Sequence, residues 1–179
     1  MEVKAAQAEL RHAYTDGGPG VVVSGLIWLA AAFVERQQGV EAAFLALFFG
    51  GMLIFPFALL INRAILKRRG ESKTNPFGKL VLEGTIAMIG GLIAAWLFLP
   101  FKPEWVIPLA AIAVGTHYFA FRTAYGLAIF WLLGAAVTAL GALAIFTGWL
   151  ETNFVTVAVA VTELVFGGIL WLRAGNTSE

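Results

Sequence analysis

Apolar runs near twenty residues long recur along this chain and constrain its fold more than any other feature. A helix needs about 20 residues to cross roughly 30 Å of hydrocarbon, and six stretches approach that length, at 21–34, 42–61, 80–99, 105–121, 125–146 and 154–172. The first and fourth are short, and the first borrows length from Gly20 and Glu35 at its ends. Composition points the same way: 60 % hydrophobic and 13 % charged residues, with a mean hydropathy of +0.84, are too apolar for a soluble domain of 179 residues. The expected fold class is all-α, a polytopic transmembrane bundle of six helices.

Positive charge sets the expected orientation. The stretch NRAILKRRGESKTNPFGK holds Arg63, Lys67, Arg68, Arg69, Lys73 and Lys79, and Lys4, Arg11, Arg122 and Arg173 fall on the same side. The opposite side receives Arg36 and Lys102 against Glu35, Glu41, Glu104 and Glu151. Both termini are therefore expected in the cytoplasm. On that placement Trp96, Trp105 and Trp149 form an outer aromatic belt, and Tyr118, Tyr125 and Trp171 an inner one. The organisation is a cytoplasmic segment at 1–19, a single membrane domain at 20–173 with a basic loop at 62–79, and a cytoplasmic tail at 174–179.

Local signals refine the ends. VKAAQAELRHAY places Val3, Ala6, Leu10 and Tyr14 on one helical face, as an interfacial helix or a solvated tail. DGGPG is a turn cluster before the first span. Asn75 followed by Pro76 suits a helix N-cap with proline at the first helical position.

Several functions lack their signatures. A net charge of +1 without a basic, aromatic-rich patch argues against nucleic acid. Zero cysteines exclude disulfides and thiolate chemistry. The first residues do not resemble a cleavable signal peptide. The approach to Gly78 and Lys79 is not a phosphate loop, and neither HExxH nor GxSxG occurs. With only His12 and His117, a histidine-rich metal centre cannot be built. No cofactor or metal is implied, and enzymatic chemistry has little support.

The candidate chemistry lies in polar residues within the spans. A charged carboxylate at the bilayer centre costs several kcal/mol, so intramembrane acids face the interior and mark functional sites by default. Glu163 lies near the middle of the sixth run and shares a face with Thr156, Ala160 and Gly167. It is a candidate proton or cation site, or a structural interhelical hydrogen bond. Glu83, aligned with Ala87, Gly90 and Ala94, is expected to face the interior within reach of Lys79, Arg122 or His117. Glu83 with His117 is the candidate proton relay. Arg122 is a candidate anion holder or a snorkelling topology determinant. Thr138, Asn62 and Ser24 could line a pathway or bond between helices. Gly50 and Gly51 before Pro56 form a candidate hinge or a simple kink, since proline removes an amide donor and crowds the carbonyl four residues earlier.

The segments ELRHAYTDGGPGVVVSGLIWL, LFFGGMLIFPFALLINR, NPFGKLVLEGT and HYFAFRTAYG, in that order, resemble a family of short bacterial multi-span membrane proteins described as a domain of unknown function. The resemblance covers most of the chain. It implies a bacterial inner-membrane protein and brings no activity, substrate or site.

Three functions are expected from these features. One is a proton- or cation-coupled transporter or channel component using Glu163, Glu83 and His117, for which homo-oligomerisation is a candidate assembly. A second is a non-catalytic scaffold whose Arg63, Lys67, Arg68 and Arg69 hold anionic lipid or a partner. The third is a membrane-embedded enzyme acting on a lipid or quinone beside Glu83, His117 and Arg122.

Overall fold

The computed structural model describes residues 2–176, which form seven helices and no strand. They are α1 (Val3–Tyr14), α2 (Gly18–Gln38), α3 (Val40–Leu60), α4 (Pro76–Trp96), α5 (Pro103–Tyr125), α6 (Ile129–Thr147) and α7 (Thr152–Asn176). Six of these are long and apolar enough to cross a membrane. The protein is thus a multi-pass, all-helical membrane chain, and an even number of spans leaves α1 and the end of α7 on one side.

The helices differ from the apolar runs where side chains supply local satisfaction. α2 extends well past the expected 21–34, because buried Glu35 accepts a 2.6 Å hydrogen bond from Thr156 on α7 and so stays within the bundle. Tyr125, expected to open the fifth span, instead ends α5. Gly126 follows at φ 70°, a left-handed conformation that glycine adopts without a Cβ clash and that terminates the helix. Asn75 caps α4 by accepting from the Phe77 amide at 3.0 Å, with Pro76 behind it.

At the terminal side, α1 is a docked helix. Gln7 donates to the Thr123 carbonyl, Arg11 to the Tyr125 carbonyl and Asn75 to the Ala6 carbonyl, while Glu9 accepts from Ser72 and Asn75. The turn at Thr15–Gly17 runs through positive φ at all three residues, and buried Asp16 pairs with Arg173 Nε at 3.6 Å. The N-terminal segment is thereby tied to α4, α5 and α7.

Lipid tails are as apolar as the side chains they surround, so spans associate through close packing and polar contacts. Two helix pairs meet almost backbone to backbone. Between α2 and α7, a Cβ at Gly18 would lie 2.6 Å from the Trp171 amide nitrogen, at Gly25 2.9 Å from the Leu164 side chain, and at Gly167 2.8 Å from the Val22 nitrogen. Between α5 and α6, Gly134 would meet the Gly115 carbonyl at 2.8 Å, and Gly141 abuts the Pro108 carbonyl. Phe130, Leu133, Val137, Val155 and Val159 fill the space between these pairs.

Neighbour relations run α3, α2, α7, α6, α5, α4, so that α3 and α4 are the two ends of an open ring. Each packs on its inner neighbour; at the end far from the basic loop α3 also touches α5, and Phe44 of α3 meets Trp96 of α4 with ring centroids 5.2 Å apart. The ring is therefore open laterally between α3 and α4 over the part nearer the basic loop, and closed beyond it.

Gly25→Leu should force α2 from α7 and destabilise the bundle by about 1–3 kcal/mol or more, whereas Gly168→Leu projects into open space and should be near neutral. Thermal unfolding in detergent compares the two, and equal midpoints would contradict the close-packing account.

Candidate functional site

The open side leads into a cavity of about 550 Å³ bounded by α2, α3, α4 and α5 and closed at one end by α1 and the loop before α4. Phe55 on α3 and Leu82 on α4 both line it and are largely exposed, so they flank its mouth. The walls are mostly apolar, and their polar groups are graded. Tyr14, Asn62, Glu71 and Tyr125 stand at the loop end, Ser24, Thr85, His117 and Tyr118 lie further in, and Trp28, Leu47, Leu92 and Ala110 form an apolar far end. From Gly20 to Trp28, both in its lining, helix α2 rises about 12 Å.

Glu163 is fully buried and does not itself line the cavity. Tyr118, which does, donates its hydroxyl to Glu163 Oε1 at 2.7 Å. Ser24 of α2 is close enough to influence both groups without a well-formed hydrogen bond to either. Three helices thus meet at one carboxylate, whose Oε2 has no partner. The glycine contacts explain the meeting: Gly25, beside Ser24, admits α7 closely enough to bring Glu163 against α2. Tyr118 is held by ring contacts with Phe121 at 5.7 Å and Phe130 at 6.3 Å.

At the loop end, Asn62 lies in a π-helical turn, Ile61–Ile65, that continues α3. It accepts from the Thr15 hydroxyl at 2.6 Å and donates to the Ala58 carbonyl at 2.7 Å. Tyr14 donates to Glu71 Oε1 at 3.4 Å, while Glu71 Oε2 is buried without a partner. Burial pushes the Glu71 carboxyl above its ordinary value. Arg63 stands over the Tyr14 ring at 5.7 Å and donates to the carbonyls of Arg68 and Ala13. It is outside the cavity lining.

The structure separates other candidates that the sequence groups together. Glu83 is exposed on the outside of α4 and makes no ion pair with Lys79 or Arg122 among the described residues. Its helix is peripheral, so the face carrying Ala87, Gly90 and Ala94 points outward too. His117 packs against the Gly84 backbone and the Phe121 ring, with Nδ1 unpartnered, and the expected Glu83–His117 pair is not formed. Arg122 is exposed at the end of α5. Thr138 sits against Gly115 in the α5–α6 contact, away from the cavity.

At the candidate hinge, helix α3 runs through Pro56 without a break. Gly50 touches Ile27, while Gly51 lines the cavity. Of the basic loop, Lys67 and Arg69 are exposed, whereas Arg68 lines a polar cleft with Arg11, Asp16 and Arg173. Among the described residues no cluster of three metal-ligating side chains occurs.

Tyr118 and Glu71 were not singled out by sequence reasoning, which placed Tyr118 in the inner aromatic belt. Its spacing with Phe121 and Tyr125, three and then four residues on, was a usable signal: all three line one wall.

The chain belongs to a family of unknown function (DUF7010), whose profile matches residues 3–173. No curated protein and no solved structure matches it significantly.

Tyr118→Phe leaves Glu163 without its one well-formed donor and should cost about 1–3 kcal/mol of stability. Glu163→Gln keeps an acceptor for Tyr118 and should cost less, and Glu83→Gln should change stability by no more than about 0.5 kcal/mol. Unfolding in mixed micelles ranks the three; a Tyr118→Phe midpoint equal to that of Glu83→Gln would remove the buried bond from the account.

Proposed function

We propose that this member of the family binds a lipophilic small molecule that reaches it sideways from the bilayer through the gap between α3 and α4, as the binding step of a transport cycle. The observation that carries this reading is the lateral opening onto an apolar cavity of about 550 Å³. Binding sites for small organic ligands have that size and that mixture of apolar wall with a few placed polar groups. The loop end, with its basic residues, faces the cytoplasm in this reading. A bacterial inner membrane is the proposed location.

Cargo that first dissolves in the bilayer needs no aqueous pathway. The polar groups inside the cavity then serve to orient it: the Tyr14, Asn62 and Glu71 end meets a polar head, and the Trp28, Leu47 and Leu92 end takes the apolar part. Glu163 contributes from behind Tyr118 and Ser24. No role falls to Glu83 or Arg122, because both are exposed outside the cavity.

A neutral diazirine-bearing fatty alcohol, photolysed with the protein in phosphatidylcholine nanodiscs, should label the cavity residues Ile54, Val81 and Val114 in preference to the exposed Val165 on α7. Ala58→Trp, which fills the cavity from a buried position in its wall, should reduce the cavity labels at least tenfold and leave the Val165 label unchanged. Labels that follow exposure alone, or that survive the tryptophan, would overturn the proposal.

A further inference from the structure

The charge distribution around the cavity points to the class of cargo. Glu71 is the single formally charged residue in its lining, His117 is the single base, and no lysine or arginine contributes among the described residues. Behind Tyr118 and Ser24 stands a second carboxylate, Glu163. Each acid has one oxygen bonded to a tyrosine hydroxyl and one, Oε2, buried without a partner. Two unrelated parts of the chain, the loop before α4 and the middle of α7, thus carry the same arrangement, one in the cavity wall and one behind it.

Such oxygens are acceptors awaiting a donor or a positive charge. A buried carboxylate oxygen left unsatisfied is costly, and in a low-dielectric surrounding a charge acts across one intervening side chain much more strongly than in water. The wall between the two acids is ringed by Tyr14, Tyr125, Phe121 and Tyr118. Aromatic faces attract cations through their quadrupoles, most strongly when water is excluded. An anionic amphiphile would find acids and ring faces where it needs donors. A neutral one could donate a hydroxyl to an acid but would bring no charge to the acids or the quadrupoles.

We propose that the cavity selects lipophilic organic cations: bulky, hydrophobic molecules carrying a delocalised or shielded positive charge. This rests on the reading of the cavity as a lateral binding site and adds the sign of the charge. The cation sits among the rings between Glu71 and Glu163, with its apolar substituents towards Trp28, Leu47 and Leu92. Glu71, nearest the loop end, is the first acid that a cation would meet from the headgroup region. Glu163, deeper and fully buried, holds it within the bundle.

Tetraphenylphosphonium and tetraphenylborate have nearly the same size and shape and opposite charge. Each is added separately to the protein in phosphatidylcholine nanodiscs, and protection of Ile54, Val81 and Val114 from the neutral photolabel is measured against its free concentration in the membrane. The phosphonium should protect at a concentration at least tenfold lower than the borate. In Glu71→Gln/Glu163→Gln that ratio should fall towards one, with the photolabel still directed to the cavity.

Equal protection by the two ions in the native chain would overturn the charge preference while leaving the binding cavity standing. Protection by neither, with specific labelling intact, would do the same. A preference that survives in the double variant would also overturn it, since the two acids would not be its source. Labelling that is not directed to the cavity at all would sink the binding reading itself and this inference with it. The comparison in the native chain decides the charge preference even if the double variant does not fold.

Discussion

The close approach of α2 to α7 is the contact on which the remaining architecture depends. Hydrophobic burial, which drives folding in water, does little to hold spans together in lipid. What remains is dispersion at short range and the satisfaction of polar groups. Gly18, Gly25 and Gly167 bring the two backbones within van der Waals reach. That approach places two acids, Glu35 of α2 and Glu163 of α7, at the same helix contact. Glu35 receives Thr156 from across the contact, and Glu163 is reached by Tyr118 from a third helix. The polar bonds therefore lock a geometry that the glycines make possible.

A ring with tight neighbours on one side has spare area on the other. Because α2 is committed to α7, and α5 to α6, the outer helices α3 and α4 each have a single extensive partner and meet one another only at the far end, through Phe44 and Trp96. Their outward faces carry Phe49, Met52, Leu53, Ile86 and Ile89, all exposed and compatible with lipid. The gap costs little in a bilayer, since its apolar rim is solvated by acyl chains as readily as by side chains. The same opening in water would collapse or aggregate.

Hydropathy made the six spans legible in the sequence, because crossing hydrocarbon imposes a length and a composition that little else requires. Glu163 was legible too: an acid amid Thr156, Ala160 and Gly167 on one helical face can approach a neighbour closely. The same argument failed for Glu83, whose face of Ala87, Gly90 and Ala94 turned out to point away from the bundle. Periodicity states which residues share a face but not where that face points, and only the packing order supplies the second fact. Tyr118 was hidden for a related reason. A tyrosine near a span end suits the membrane interface as well as it suits a buried hydrogen bond, and depth along the helix could not separate them. The cavity was not legible at all, since it exists only because α3 and α4, adjacent in sequence, touch at one end and stay apart along the rest of their length.

Glu71, Glu83 and Glu163 show why an acid is better judged by what it is joined to than by its depth. Glu83 and Glu163 are both carboxylates in spans, yet the outward one carries no contact that requires it to be acidic, and the inward one holds the Tyr118 hydroxyl where α2 and α7 meet. Glu71 lies in a loop, where an acid would ordinarily attract no notice. Its bond to Tyr14 and its buried second oxygen give it the same local chemistry as Glu163. A carboxylate paired on one oxygen and open on the other is poised between holding a protein donor and accepting a ligand. One such acid in the wall of an apolar, ring-lined cavity and a second behind Tyr118 are the two positions from which the proposed preference for cations would arise.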